Sequence, residues 1–362
     1  MLLLKDISLV QFRNYSQATF PFRERIIGIC GRNGVGKTNL LDAIYYLCFT
    51  RSYFIRSDQQ NVAGGADGFR IAGRFEKQGS PAEVVCIFRG EGGKEFLLDG
   101  EPYEKFSAHI GRFPCVIIAP DDVQIITGGS EERRRFLDSL LSQLDPDYLL
   151  TLIEYNKVLQ QRNGFLKSLE GKRLRDEDRH LLEVYDGQLT RPGMHLFARR
   201  KAFLAAFLPH AGRFYTEIAG SQEPVQMSYR SQLLDSAFQP LLHRSLEKDL
   251  HLQRTVAGIH KDDIELTFRG QPFKGVASQG QRKSLLFALK LAEYAALREA
   301  KGFAPMLLLD DVFEKLDEGR MRNLLNQVCL RGDGQIFITD THQGRIEAAL
   351  DPLSLPYQIL AL

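Results

Sequence analysis

The stretch "ICGRNGVGKTNLL", residues 29–41, sets Gly31, Gly36, Lys37 and Thr38 in the order Gly-x-x-x-x-Gly-Lys-Thr. The strand-like run "RIIGIC" leads into it, and "TNLLDAIYYLCF", with apolar residues at helical spacing, leaves it. That strand–loop–helix setting separates a phosphate-binding loop from a chance glycine-rich turn. Glycines let successive backbone N–H groups turn inward around a β-phosphate, and the new helix adds the positive end of its dipole. On this reading Gly31, Arg32, Asn33, Gly34, Val35 and Gly36 form the cradle. Lys37 reaches the β- and γ-phosphates as a catalytic and binding cation, and the Thr38 hydroxyl ligates Mg²⁺. The loop says that phosphates are held, and not what the nucleotide is for.

Composition narrows the class. The chain has 362 residues, enough for one to three domains, with 44% hydrophobic and 25% charged residues, the balance of an ordinary soluble protein. A net charge of +2 announces no nucleic-acid binder, so any such surface must be local. The five cysteines are widely spaced, without zinc-ligand pairs, as expected of buried thiols in a reducing compartment. The first residues lack a signal-peptide pattern, and no run of about 18 apolar residues exists to span a membrane. A cytoplasmic protein is expected.

Along the chain, the first 120 or so residues are strand-rich, with "LLLKDISLVQF", "FRIAGRFE", "AEVVCIFRG", "KEFLLDGEPY" and "PCVIIAP" as candidates. From Ser130, expected to cap a helix, the pattern turns helical, and the charged break "LEGKRLRDEDRH" divides an outgoing from a returning segment, as in a helical hairpin. "PVQMSY" and "DDIELTF" return to strand, with the helix pattern "FQPLLHRSLEKDLHLQ" between them. The last hundred residues alternate helix and strand, which implies a parallel sheet covered by helices. The expected plan is an α/β nucleotide domain in two parts, 1–128 and 256–362, separated by an inserted helical domain at 129–255.

Two further segments complete a site. "MLLLDD" is an apolar strand ending in Asp310 and Asp311; Asp310 is the candidate Mg²⁺ carboxylate and Asp311 the residue that orients or deprotonates an attacking water. "ASQGQRKSLLFALKLAE" puts Ser278, Gln279, Gly280 and Gln281 at a helix start, where a hydroxyl, glycine-permitted N–H groups and a positive helix end suit an anion. Read in isolation, Ser278 fits a helix cap better than a ligand.

Order and spacing give these segments a resemblance. Ser278-Gln279-Gly280-Gln281 resembles the Ser-Gly-Gly-Gln signature of ABC-type ATPases, with Gln279 for the first glycine, and "DDVFEKLDEGR" resembles their segment after the catalytic acids. The resemblance makes Asp317 the aspartate at a dimer seam and assigns Ser278, Gly280 and Gln281 to the γ-phosphate held by the opposite subunit. Asp311 stands where that family has glutamate and Glu314 where it has serine, which implies slow hydrolysis. The sensor histidine is displaced, with Asp340 first and His342 two residues later, and Gln124 is the candidate Q-loop glutamine. With "FRNY", "APDDVQIITGGSEERRRFLD" and "AGIHKDDIEL" added, the whole chain resembles the bacterial RecF family of DNA replication and repair proteins. The resemblance implies an ABC-type P-loop ATPase head with an antiparallel β lobe and an inserted helical hairpin domain. It also implies ATP and Mg²⁺ as cofactors, an ATP-dependent homodimer, a weak DNA-stimulated ATPase, and binding to double-stranded DNA and single/double-strand junctions. RecO, RecR and RecA are the implied partners, in loading RecA at single-strand gaps and in SOS induction.

Candidate DNA contacts are Arg51 with Arg56, Arg133-Arg134-Arg135, 172–179 and Arg199-Arg200-Lys201, each of which, taken singly, fits a solvated helix face or loop better than a DNA contact. Three rivals use the same loop. A transporter's ATPase subunit wants a clear Q-loop and a modest helical subdomain, whereas about 240 residues separate Lys37 from Ser278. A structural SMC-type protein wants a long coiled coil. A small-molecule kinase leaves the segments at 278–281 and 310–317 unexplained.

Overall fold

The structure is a computed structural model; it describes residues 1–219, 225–312, 318–330 and 332–362, with Glu318 described by its backbone. Strands β1 (Leu2–Phe12), β2 (Tyr15–Pro21) and β3 (Ile26–Cys30) lead to helix α1 (Lys37–Phe49). Four antiparallel strands follow, β4 (Gly68–Lys77), β5 (Ser80–Arg89), β6 (Gly93–Leu98) and β7 (Glu101–Pro102), and then β8 (Cys115–Ile118). The helical stretch comprises α2 (Gln124–Thr127), α3 (Ser130–Leu144), α4 (Pro146–Ser168) and α5 (Asp176–Ala219). After it come β9 (Val225–Arg230), α6 (Phe238–Leu252), β10 (Asp263–Phe268), β11 (Gln271–Pro272) and the single turn α7 (Phe273–Val276). The chain closes with α8 (Gln279–Lys301), β12 (Met306–Leu309), α9 (Glu318–Leu325), β13 (Ile336–Asp340), α10 (Gln343–Leu350) and β14 (Tyr357–Ala361).

Contacts divide the chain into two compact units, one of residues 1–123, 213–223 and 278–362 and one of 124–212 and 224–277. The expected boundary at 256 falls inside the second unit, because β10 pairs antiparallel with β9 over its full length and keeps 256–277 with the segment before it.

The first unit holds two sheets. One is antiparallel, in the order β2-β1-β4-β5-β6-β7; the other is parallel, in the order β14-β3-β13-β12-β8. Helix α1 touches β4 and β5 of the first and β8 and β13 of the second. That position explains its sequence: it is apolar on nearly every side, with Leu40, Leu41, Ala43, Ile44, Tyr46 and Leu47 fully buried. Each of the leucine and isoleucine side chains contributes roughly 1.5–3 kcal/mol of burial free energy. Strands β3, β8, β12 and β13 are buried along their whole length, the mark of parallel strands covered on both faces. These four carry continuous apolar runs in the sequence; β2 and β14 do not, since β2 alternates weakly and β14 is only half-buried.

The second unit is built on buried ion hubs. Arg162 of α4 donates to Asp186 of α5 and to Asp249 of α6, both at 2.7 Å, and to Thr255 at 2.9 Å. Arg200 of α5 donates to Asp138 (2.7 Å), Asp262 (2.9 Å), the Ile259 carbonyl (2.7 Å) and the Tyr148 hydroxyl (3.0 Å). Helix α5 extends over 44 residues, about 66 Å at 1.5 Å per residue, with Pro192 and Pro209 inside it. Asp145 caps α4 by accepting from the Asp147 N–H, but Ser130 is the first residue of α3 and not its cap, a place taken by Gly129. Among the described residues no helix is long and apolar enough to cross a membrane.

Candidate functional site

The parallel register brings the candidate residues to one edge. Strand β13 lies between β3 and β12, with Asp340 opposite Cys30 and Ile338 opposite Leu309. The loop after β3, the Asp pair after β12 and the turn after β13 therefore share the carboxyl end of the sheet, where open α/β sheets bind ligands. Beyond β3 the loop takes backbone shapes that only glycine adopts cheaply: Gly34 has φ +81° and Gly36 has φ +118°. A Cβ on Gly36 would come within 2.6 Å of the Asn14 amide and 2.7 Å of the Tyr15 hydroxyl.

Lys37 is buried and folds back over the loop, donating to the Gly31 carbonyl at 2.8 Å and the Arg32 carbonyl at 3.1 Å. Next to it the Thr38 hydroxyl lies 3.1 Å from both Asp310 oxygens. Asp310, 4% exposed, also accepts from the Thr339 hydroxyl at 2.8 Å. Burial pushes its carboxyl above the usual range, while the two threonine hydroxyls pull it back. Asp311 has a left-handed backbone, φ +47°, and its N–H donates to Thr339 Oγ1 at 2.9 Å. A cavity of about 200 Å³ is lined by Asn33, Gly34, Gly36, Lys37, Thr38, Asn39 and Asp311.

Chemically this is an anion cradle with one buried cation beside a pair of hard oxygen donors. The Thr38 hydroxyl and Asp310 carboxylate, in direct contact, form a donor set suited to Mg²⁺, an ion usually held by one or two protein oxygens together with phosphates and water. Among the described residues there is no cluster of three or more His, Cys, Asp or Glu side chains to hold a metal alone.

The signature segment behaves differently. Ser278 caps α8: its hydroxyl accepts from the Gln281 N–H at 3.2 Å, and the Gln281 side chain accepts from the Ser278 N–H at 2.7 Å, a closed capping box. A Cβ on Gly280 would come within 2.3 Å of the Arg320 guanidinium, so glycine lets α9 approach α8. None of Ser278, Gly280 and Gln281 lines the cavity. Asp317 and Glu314 lie outside the described residues. After β13, Asp340 is buried and held by the His342 N–H (2.7 Å) and Arg345 (3.1 Å), whereas the His342 side chain is exposed. Gln124 opens α2 in the second unit and is exposed.

Four residues that sequence reasoning did not assign support the site. Thr339 links Asp310 to Asp311, and only a hydroxyl residue within the apolar strand "IFITD" hinted at it. Asn14 and Tyr15 reach the loop from the β1–β2 turn, donating to the Val35 carbonyl at 2.8 Å and the Gly36 carbonyl at 3.0 Å. Arg13, in the same turn, ties Asn39 (2.7 Å), Asp42, Ser52 (3.0 Å) and Asn61 (3.1 Å) together.

Several basic clusters turn out to be engaged internally. Arg133 pairs with Asp263, Arg134 donates to the Asp262 carbonyl, Arg135 pairs with Glu131 and Glu132, Arg199 with Asp145, and Arg200 is the hub described above. Arg51, Arg56, Lys172, Arg173, Arg179 and Lys201 are exposed.

Comparison with known proteins gives the family and the fold. The family model described as the RecF/RecN/SMC N terminal domain matches residues 3–358. A DNA replication and repair protein RecF of Flavobacterium johnsoniae is 42% identical, covering 99% of each chain, and one of Cytophaga hutchinsonii is 39% identical, covering 94% of this chain and 90% of that one. A solved structure of the recombination mediator protein RecF with ATP, in the RecFOR pathway, is 30% identical over 94% of this chain and 92% of that one, with a TM-score of 0.85. An SMC head domain of Pyrococcus furiosus, 15% identical with a TM-score of 0.55 over 96% of this chain and 92% of that one, shares the fold.

Proposed function

Because the chain belongs to the RecF family of DNA replication and repair proteins, we propose that it is an ATP-operated switch on DNA. ATP binds the cradle of residues 31–38, and two copies close head-to-tail so that Ser278, Gly280, Gln281 and Asp317 of each complete the γ-phosphate site of the other. Thr38 and Asp310 would hold Mg²⁺, which when bound would supply charge neutralisation to the phosphates. Lys37 leaves the Gly31 and Arg32 carbonyls for the phosphates, a move that exchanges neutral acceptors for charged ones. Asp311 orients the attacking water; being one methylene shorter than glutamate, it makes hydrolysis slow, so the closed state persists on DNA. Such a clamp at single-strand gaps, acting with RecO and RecR in the cytoplasm, promotes RecA loading and SOS induction.

The observation that carries this reading is the one-sided cavity. Among the described residues it is lined by 33–34, 36–39 and 311, while the signature segment of the same chain is occupied in its own helix cap. A phosphate site furnished from one side suits completion by a second copy. Lys37→Ala and Ser278→Arg are expected to abolish ATP-dependent dimerisation, measured by light scattering, and ATP-dependent retention on gapped DNA. DNA retention that is independent of ATP in the wild type and both variants would overturn the switch.

A further inference from the structure

A phosphate cradle has an outer side. When successive N–H groups turn inward, the carbonyls of the same peptides turn outward and need donors of their own. In this chain the Val35 carbonyl takes its donor from far away in sequence, and the Gly36 carbonyl, which already accepts the Leu40 N–H of α1 at 2.9 Å, takes a second donor from there. Asn14 Nδ2 donates to the Val35 carbonyl at 2.8 Å, and the Tyr15 hydroxyl donates to the Gly36 carbonyl at 3.0 Å. Asn14 is itself held, its Oδ1 accepting from Asn39 Nδ2 at 2.7 Å, while Asn39 Oδ1 accepts from Arg13 Nη1 at 2.7 Å. Arg13 ends on Asp42, a fully buried carboxylate in the middle of α1. An unbroken relay thus joins the core of α1 to the crest of the loop. The Tyr15 ring packs edge-on against Phe20, and partial burial pushes its hydroxyl up to about 12, so it stays protonated and a donor.

We propose that Asn14 and Tyr15 are positioning residues for nucleotides carrying two or more phosphates, acting through the Val35 and Gly36 peptides; this rests on the nucleotide reading above. By fixing the outward carbonyls they fix the inward N–H groups at the β-phosphate, and so pre-organise the cradle before ligand arrives. Because the β-phosphate is common to both ligands, the effect falls equally on ATP and ADP.

Equilibrium binding of ATP and ADP to the full chain tests this with Asn14→Ala and Tyr15→Phe. Asn14 is exposed, and phenylalanine keeps the contact with Phe20, so neither change removes core. Each is expected to raise the dissociation constants of both nucleotides by about five-fold, the scale of one hydrogen bond, with the unfolding temperature of the nucleotide-free protein unchanged. The double variant is expected to lose more than either. Wild-type affinity for both nucleotides in both variants overturns the proposal, as does an affinity loss that appears only in step with a lowered unfolding temperature. If the wild type binds neither nucleotide, or Lys37→Ala binds as well as wild type, the nucleotide reading itself fails. Normal binding in Asn14→Ala and Tyr15→Phe with loss in Lys37→Ala sinks the positioning role alone.

Discussion

The Thr38 hydroxyl sits 3.1 Å from both carboxylate oxygens of Asp310, although 272 positions separate the two residues in the chain. The contact joins the first turn of α1 to the end of β12 and leaves two hard oxygens side by side at the edge of the cradle.

Removing either oxygen donor should uncouple nucleotide binding from the metal. Asp310→Asn keeps the shape and is expected to bring ATP affinity in Mg²⁺ down to the value measured in EDTA, a loss of ten-fold or more on the order of one charge-assisted contact. Titration of ATP binding against Mg²⁺ checks it. An unaltered Mg²⁺ dependence would remove Asp310 from the metal site.

Gly36 answers to backbone strain as well as to space. At φ +118°, with Asn14 and Tyr15 within 2.7 Å of any Cβ, Gly36→Ala must distort the loop. A loss of about 1–3 kcal/mol in stability, with ATP binding lost, is expected from denaturant unfolding and nucleotide titration.

Arg200 should be indispensable to the second unit. Replacing it with Met leaves Asp138 and Asp262 without their buried counter-charge, a change that costs about 3–5 kcal/mol. Because the chain has two units, a single unfolding midpoint would mix them, so amide exchange is the better measure. Protection is expected to fall across 124–212 and 224–277.

A buried group on α8 sets a pH dependence. Glu293 lies beside Lys290, at 3.6 Å, with Asp122 3.7 Å from the same ammonium. Burial pushes the Glu293 carboxyl up to about 7, with Lys290 pulling it down and Asp122 pushing it further up. The folded state therefore holds this proton more tightly than the unfolded chain. Its contribution to stability is complete below pH 4.5 and is lost as pH rises to about 7, by up to ~3 kcal/mol. Thermal unfolding of the wild type minus that of Glu293→Gln, followed from pH 4.5 to 8, is expected to fall along that window. A flat difference would show that Glu293 titrates normally.

How much of this was legible in advance differs from residue to residue. The loop at 31–38 declared itself because its chemistry is contiguous: glycines for the turn, a cation and a hydroxyl follow one another along eight residues. The strands that end at Cys30, Ile118, Leu309 and Asp340 declared themselves as continuous apolar runs, and the charged break at 169–180 marked the turn between α4 and α5. The expected boundary near 256 does not hold, because composition does not reveal that β10 pairs backwards with β9. Ser278 carried two readings, cap and signature, and the capping box realises the first within a single chain.

By itself, then, the sequence determined the phosphate cradle, the α/β alternation and the family pattern, since each depends on neighbours along the chain. The strand order β14-β3-β13-β12-β8 was decided only in three dimensions, and with it the meeting of Thr38, Asp310 and Thr339. So were the capping of the loop's outer carbonyls by Asn14 and Tyr15 and the withdrawal of the arginines at 133, 134 and 200 into ion pairs and hydrogen bonds. The reason is common to all of them. A buried polar group must find its partner wherever the fold brings one, and sheet order and register, which sequence periodicity does not encode, choose that partner.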